Sequence, residues 1–164
     1  MRGQTIVYET LERMGIRCEA MEHDPVFTVT AMEKLPFPDD VGMAKNLFLR
    51  DAKGRRHFLV TLRKDAVVDL KALEKDIGCS RLSFASEERL DKYLKLTKGS
   101  VSPLGVLNDE TKSVEVIFDD ALRDYARVGV HPNDNSATLF IPLADLEAIV
   151  GAHGNSVCFV SFPS

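Results

Sequence analysis

The chain has 164 residues, of which 45% are hydrophobic and 28% are charged, and its formal net charge is −4. This is an ordinary globular mixture, and the negative charge argues against nucleic-acid binding over the whole surface. No apolar run approaches the ~20 residues that span a membrane, and the amphipathic, acidic N-terminus argues against a targeting peptide. We expect one domain, residues 1–164, in the cytoplasm.

Three cysteines, Cys18, Cys79 and Cys158, are far apart in the chain. Their odd number and wide spacing fit buried, reduced thiols better than a disulfide framework or a zinc site.

The first forty residues predict a helix, a strand, a short helix and a loop. Apolar residues recur at helical spacing over Val7–Met14, and Gly15 ends that helix. "CEAMEH" has the pattern of a short strand. Thr30 and Glu33 form a capping box for a short helix that Pro36 stops, and "LPFPDDVG" follows as a rigid loop.

The next segments predict a β-hairpin. "KNLFLRD" and "RRHFLVTL" have strand patterns and are joined by the turn "AKG". Because side chains alternate along a strand, Lys45 shares a face with Leu47 and Leu49, and Asn46 lies on the other face. The Lys45 ammonium either extends to water or lies at the mouth of a pocket, and the residues leave both readings open.

This hairpin is rich in basic residues. A solvated hairpin and a local nucleic-acid contact both fit the pattern. Six basic residues accompany the single acid Asp51: Arg50, Lys53, Arg55, Arg56, Arg63 and Lys64.

The second half of the chain alternates helices and strands. Asp69 and Gly78 cap the helix "DLKALEKDIG", and Ser86 caps "EERLDKYLKL". Strand patterns follow in "RLSFA", "SVEVIF", the pair around "HPNDN", and "VCFVSF", with a last helix in "LADLEAIVGAHG". We therefore predict a mixed α/β domain with a mixed, largely antiparallel sheet flanked by helices, and not a doubly wound fold.

The stretch "GSVSPLGVLND", Gly99–Asp109, is an unusual connector. A turn of type II or a similar conformation at Gly99 and Gly105 is one reading. The other is a cradle of exposed backbone N–H groups, held stiff by Pro103, that stabilises a developing oxyanion.

The histidines give no metal-binding pattern. None is paired at i, i+4 and no HExxH motif occurs, so we expect neither a metal nor a cofactor. His131 differs by its context, because Pro132 fixes its backbone and Asn133 begins a polar turn. A structural and a catalytic role for His131 both remain open.

Taken in order, three of these segments resemble the editing domain of the YbaK family, which is related to the insertion domain of bacterial prolyl-tRNA synthetase. They are "KNLFLRD" with Lys45, "GSVSP" as the Gly-x-x-x-Pro loop of the family, and "HPNDN" with His131. "VFTVTAMEKL" and "LSFASEERL" also match. Within the family, the chain is most similar to the free-standing alanyl-tRNA(Pro) deacylases of the ProXp-ala type.

The resemblance implies where a substrate would bind. Lys45 would lie by the terminal adenosine and its phosphate, or near the substrate's amino group. The amides of Gly99 and its neighbours would face the ester carbonyl, with Ser100 beside them. The implied substrate-binding residues are Asn46, Pro103, His131 and Asn133.

The resemblance also implies an activity and its partners. The chain would be a metal-independent, monomeric hydrolase of Ala-tRNA(Pro) that binds the tRNA acceptor end and contacts prolyl-tRNA synthetase transiently. The 2′-hydroxyl of the terminal ribose would assist the attacking water. Alternatives are deacylation of Cys-tRNA(Pro) or another small aminoacyl-tRNA, a tRNA-binding module without activity, and a metal-dependent hydrolase of a small ester.

Overall fold

The computed structural model describes residues 2–24 and 37–163, which contain four α-helices and eight strands. The helices are α1 (Arg2–Met14), α2 (Leu70–Ile77), α3 (Glu87–Leu94) and α4 (Leu143–His153). The strands are β1 (Glu19–Glu22), β2 (Val41–Arg50), β3 (His57–Arg63), β4 (Ser83–Phe84), β5 (Val114–Asp119), β6 (Arg127–Val130), β7 (Ala137–Ile141) and β8 (Val157–Val160). Three 3₁₀ helices are η1 (Lys98–Ser100), η2 (Pro103–Asn108) and η3 (Asp120–Asp124).

Most predicted elements are present, with one correction near the N-terminus. The predicted helix at Thr30–Glu33 and its stop at Pro36 lie outside the described residues. The predicted loop "LPFPDDVG" is too long, because Val41 and Gly42 already belong to β2. They pair there with Arg127 and Val128 of β6, a partner that the local sequence does not reveal.

The strands form one mixed sheet in the order β1-β7-β6-β2-β3-β5-β8, with β4 paired to β2. Four of its pairings are antiparallel. Three are parallel, namely β2 with β6, β3 with β5, and β5 with β8. The predicted mixed α/β class is confirmed, but the sheet is less dominated by antiparallel pairs than the hairpin patterns indicated. No helix within the described ranges is long and apolar enough to cross a bilayer.

Local capping chemistry fixes the helix ends. Gly15 ends α1 with a φ of 68°. The Asp69 carboxylate accepts the first amides of α2, and Gly78 closes that helix in the left-handed conformation. The Ser86 hydroxyl accepts the Arg89 amide at the start of α3. These predicted caps are confirmed.

The sheet separates two hydrophobic cores. The first core contains Phe48 of β2 and Val128 of β6, and α1, α3, α4 and η2 pack against it. The second core contains Leu49 of β2, Leu73 of α2 and Phe162. Alternate residues of β2 therefore face different cores, as the predicted alternation requires.

Strand β2 changes neighbour part-way along its length. On the side away from β3, it pairs with β6 as far as Met43 and with β4 from Leu49. The Phe48 carbonyl accepts the Ala85 amide at the start of the second stretch. Residues 44–47 have no partner strand on that side within the described chain, and we call this opening the β2 gap. A break in pairing of this kind leaves room for a ligand between elements.

Candidate active site

Lys45 lies in the β2 gap and points to the face of the second core. Its ammonium donates to the Ala66 carbonyl oxygen at 2.7 Å, and the side chain is half-buried. Of the two readings left open by the sequence, free extension into water is therefore wrong. The cation is held at a fixed position beside the unpaired edge of β2.

His131 and Lys45 follow the same end of the β2–β6 pairing. The parallel register ends with Met43 paired to Gly129, so Lys45 and His131 each come two residues after the last pair. A Cβ at Gly129 would lie 2.7 Å from the Met43 sulfur, so these positions share one face. The fold thus places at the same end of one strand pair a lysine and a histidine that are 86 residues apart in the sequence.

The environment of His131 fixes its tautomer. Its Nδ1 lies 2.8 Å from the Ala137 carbonyl oxygen, which can only accept, so Nδ1 carries the proton. Burial lowers the pKa of His131 below its ordinary value, and nearby His23 acts in the same direction. The neutral ring therefore presents the lone pair of Nε2 as a hydrogen-bond acceptor.

Two ring residues that the sequence did not single out continue from His131: His23 stands beside it and Phe37 beside His23. The His23 ring centroid lies 6.3 Å from that of His131 and 6.5 Å from that of Phe37. Phe37 in turn meets Phe140 edge-on at 5.7 Å. His23 is held by Thr138, whose hydroxyl lies 2.8 Å from Nε2. Only the long-range pairing of β1 with β7 creates this aromatic wall, so no local pattern could have predicted it.

The glycine loop differs from its prediction. It is not a bare loop but two 3₁₀ helices, and Pro103, Leu104 and Val106 are buried among the first-core residues and the helices around them. Neither Gly99 nor Gly105 has a positive φ, so the predicted type II turn is wrong. A Cβ at Gly105 would lie 2.5 Å from a Leu96 methyl, so close packing requires this glycine.

Most hydrogen-bonding groups of the glycine loop are used internally. The Ser100 amide donates to the Thr97 carbonyl, and the Ser100 hydroxyl bonds the same residue at 3.1 Å. Ser102 accepts the amides of Leu104 and Gly105. The Gly99 amide lies in the first turn of η1, where helical geometry offers no acceptor. The predicted cradle of exposed amides is thus reduced to the Gly99 end of the loop.

Asn133 connects the His131 turn to the glycine loop. Its Nδ2 donates to the Leu104 carbonyl oxygen at 3.1 Å, and its backbone is left-handed with a φ of 62°. The residue is 7% exposed, and its Oδ1 is buried without a hydrogen-bond partner in the described chain. Asn133 was predicted to bind the substrate, but its side-chain donor, Nδ2, already bonds the protein backbone.

Asn46 points to the opposite face from Lys45. Its Oδ1 accepts from the Thr61 hydroxyl at 2.6 Å, across the β2–β3 pair. Lys45 and Asn46 thus stand on the two sides of the β2 gap. This arrangement follows from the predicted alternation.

The six basic residues predicted as one patch lie at two ends of the hairpin. Arg50, Lys53, Arg55 and Arg56 surround the turn. Arg63 is the last residue of the seven-residue β3 and Lys64 follows it, about 20 Å away. Arg56 pairs with Glu115 at 2.8 Å and Arg63 with buried Asp119 at 3.0 Å, so both charges are compensated. Spacing in sequence could not show this division.

No group of three His, Cys, Asp or Glu side chains within residues 2–24 and 37–163 is arranged to hold a metal ion. The cation Lys45 and the imidazole acceptor of His131 follow the last β2–β6 pair, with the His23 ring beside His131, and Asn133 links this turn to the glycine loop. Such groups can bind an ester and stabilise negative charge on it without a strong protein base.

A sequence profile of the aminoacyl-tRNA editing domain matches residues 23–149. The chain belongs to the aminoacyl-tRNA editing domain family. The matched segment of this editing domain contains Lys45, the glycine loop and His131. The YbaK resemblance inferred from the sequence is thus confirmed at the level of the family.

Relatives of this editing domain extend over nearly its whole length. It is 54% identical over 156 residues to the prolyl-tRNA editing protein ProX of Acetoanaerobium sticklandii, with 95% of each chain covered. It is 32% identical over 171 residues to the prolyl-tRNA synthetase associated domain-containing protein 1 of Mus musculus, with 99% of each chain covered. A crystal structure of a proposed trans-editing enzyme for prolyl-tRNA synthetase superposes with a TM-score of 0.75 at 19% identity, covering 100% of this chain and 98% of the other. The last comparison supports the fold alone.

Proposed function

We propose that this editing domain acts in trans as a deacylase of alanine mischarged to tRNA(Pro). The observation that carries the proposal is that Lys45 and His131 each come two residues after the last β2–β6 pair, and that Asn133 bonds the turn after His131 to the glycine loop. The name of the 54% identical relative, a prolyl-tRNA editing protein, supports the tRNA class.

In the proposed reaction, the terminal adenosine and its aminoacyl ester occupy the β2 gap. A water oxygen attacks the ester carbonyl, assisted by the 2′-hydroxyl of the terminal ribose. The bond from the carbonyl carbon to the 3′-oxygen then breaks, the 3′-oxygen takes a proton that derives from the water, and alanine leaves as the free acid. An aminoacyl ester is already activated, so the protein has to orient it and stabilise charge.

Each predicted site residue has a proposed role. The Lys45 ammonium, held by Ala66, stabilises negative charge on the substrate, and the Gly99 amide donates to the developing oxyanion. The Nε2 lone pair of neutral His131 accepts from the ammonium of alanine. Ser100, bonded to Thr97, and buried Pro103 position the loop and do not touch the substrate in this proposal.

Selectivity would come from size. A synthetase pocket built for proline rejects alanine weakly, because a small apolar difference is worth only about 1–3 kcal/mol. A second site walled by His23, Phe37 and His131 would admit alanine and exclude the proline ring. Proline also has one N–H fewer to offer the His131 acceptor. The tRNA would supply the remaining specificity, since correct Ala-tRNA(Ala) must survive.

A deacylation panel tests the proposal. Single-turnover rates are measured on Ala-, Cys-, Ser- and Pro-tRNA(Pro), with Ala-tRNA(Ala) as control and with EDTA added in a parallel series. We expect the highest rate on Ala-tRNA(Pro), unchanged by EDTA once magnesium effects on tRNA folding are matched. A preference for Cys-tRNA(Pro) would show that the substrate is Cys-tRNA(Pro) and not Ala-tRNA(Pro). A loss of activity with EDTA that zinc restores would overturn the proposed metal independence. No hydrolysis of any member would leave only a tRNA-binding module.

A further inference from the structure

Cationic side chains from two elements meet at the tip of the β2–β3 hairpin. Arg89 of α3 reaches across to it, with Nη1 3.3 Å from the Gly54 carbonyl oxygen and 3.0 Å from His57 Nε2. Arg50 folds over the same turn and donates to the Ala52 carbonyl oxygen at 3.2 Å. We call the following set the basic cluster: Arg50, Lys53, Arg55, Arg89 and Lys92.

The cluster concentrates positive charge without carboxylate partners. A Cβ at Gly54 would lie 2.8 Å from Arg89 Nη2 and 3.2 Å from Arg50 Nη2, so two guanidinium groups flank one glycine. No member of the basic cluster has an ion-pair partner in the part of the chain that the structure describes. Like charges held this close repel one another, and an anion bound between them would remove that repulsion.

Buried His57 is affected by the positive charges of the basic cluster. Its side chain is 2% exposed and stacks on Phe48 and Tyr93. Burial lowers the pKa of His57, and the cations Arg89, Arg50 and Lys92 act in the same direction. Positive charges from the hairpin and from α3 therefore act on the same side chain, His57.

The acids closest to the cluster are engaged or face elsewhere. Asp51 is buried and accepts the amides of Arg55 and Arg56 at 2.9 and 3.1 Å. Glu87 and Asp91, one turn apart on α3, lie on the flank of that helix away from Lys92 and line a groove with Gly99. Glu88, exposed on α3, lies one turn before Lys92 on the same face, but no ion pair joins the two in the described chain, and it is a single acid beside five cations. The hairpin side of α3 thus keeps a positive excess on a protein of net charge −4.

The cluster lies too far from the β2 gap to touch the reacting ester. Arg50 is five residues along β2 from Lys45, which is about 17 Å. A nucleic acid whose 3′ end occupies the gap carries further phosphates at such distances. We propose that the basic cluster binds the phosphate backbone of the tRNA acceptor stem, an inference that rests on the proposed function. It replaces the hairpin patch predicted from sequence by removing Arg56, Arg63 and Lys64 and adding Arg89 and Lys92.

The test compares two triple variants. Lys53→Gln/Arg55→Gln/Lys92→Gln removes three exposed charges of the cluster. Lys71→Gln/Lys75→Gln/Arg81→Gln removes three exposed charges at and beside α2, whose Leu73 packs into the second core on the other side of the sheet. Binding of deacylated tRNA(Pro) is measured over a salt series, and single-turnover deacylation at saturating Ala-tRNA(Pro) is measured in parallel.

We expect the cluster variant to bind about tenfold or more weakly at low salt and to lose about two to three from the slope of log K against log salt. Its saturating deacylation rate should equal that of the wild type, and the control variant should match the wild type in every respect. Unchanged affinity and slope in the cluster variant, or an equal loss in the control, would overturn the inference. Because binding is measured with deacylated tRNA, a wild type that binds but does not hydrolyse would contradict the proposed function and leave this comparison intact.

Discussion

The Asn133 side chain donates to the Leu104 carbonyl oxygen at 3.1 Å and so joins the turn after His131 to the glycine loop. The two segments are 29 residues apart in the chain. They carry the proposed acceptor for the substrate amine and the proposed donor to the ester oxygen. This hydrogen bond adds to the burial of Leu104 and Val130 in the first core and helps to position one proposed catalytic element relative to the other.

Replacing Asn133 should uncouple these elements. Asn133→Gly keeps the left-handed backbone, because glycine adopts positive φ freely, and removes only the side-chain link. We expect its single-turnover rate at saturating Ala-tRNA(Pro) to fall about tenfold while stability changes by about 1 kcal/mol or less, since the lost bond and the removed orphan Oδ1 offset each other. Asn133→Ala should add about 1–2 kcal/mol of backbone strain. A Gly variant with the wild-type rate would assign Asn133 to stability alone.

Lys45 should be required for the chemical step. Lys45→Ala is expected to lower the single-turnover rate about 10²–10³-fold, because it removes a positive charge from the place where negative charge develops. Circular dichroism and thermal unfolding check that the fold survives the loss of the bond to Ala66. Lys71→Ala, an exposed lysine of α2, is the matched control. Near-normal turnover by a folded Lys45→Ala variant would remove Lys45 from the site.

The deacylation rate should depend on the protonation of His131. Its neutral form provides the Nε2 acceptor, and burial holds its pKa below the ordinary value of about 6.5. Lowering the pH through that depressed pKa protonates Nε2, so the rate corrected for spontaneous hydrolysis should fall at acidic pH and be level above it. His131→Gln offers an acceptor that does not titrate, so the fall in deacylation rate at acidic pH should be absent in this variant. An identical acid limb in both proteins would assign the titration to another group.

Gly105 should be intolerant of a side chain for reasons of packing. Gly105→Ala places a methyl group against buried Leu96, and overpacking of this kind typically costs about 1–3 kcal/mol of unfolding free energy. Gly151→Ala in α4 meets no atom within 4 Å and should be neutral or stabilising by up to about 1 kcal/mol. Urea unfolding of both variants measures the difference, and equal stabilities would refute the packing role of Gly105.

The parts of the fold decided by local chemistry were predictable from the sequence. The caps Asp69, Gly78 and Ser86 act on amides or carbonyls within a few residues of themselves. The alternation along β2 similarly placed Lys45 and Asn46 on opposite faces before any partner strand was known.

The parts decided by distant contacts were not predictable. The glycines and Pro103 of the glycine loop indicated an exposed cradle, whereas Leu104 and Val106 of the same loop enter the first core. His23 reaches His131 only because β1 pairs with β7 across more than a hundred residues. The resemblance to a family identified Lys45 and His131, but only the register of β2 and β6 shows that both follow the same end of this strand pair.

The most direct test of the account is the ratio of single-turnover rates on Ala-tRNA(Pro) and Pro-tRNA(Pro), measured for the wild type and for His131→Ala. The wild type should hydrolyse Ala-tRNA(Pro) at least about tenfold faster, because the proline ring overpacks a wall formed by His23, Phe37 and His131. In His131→Ala, the enlarged site should bring the ratio toward one as the rate on Ala-tRNA(Pro) falls. Equal wild-type rates on the two substrates would contradict the account.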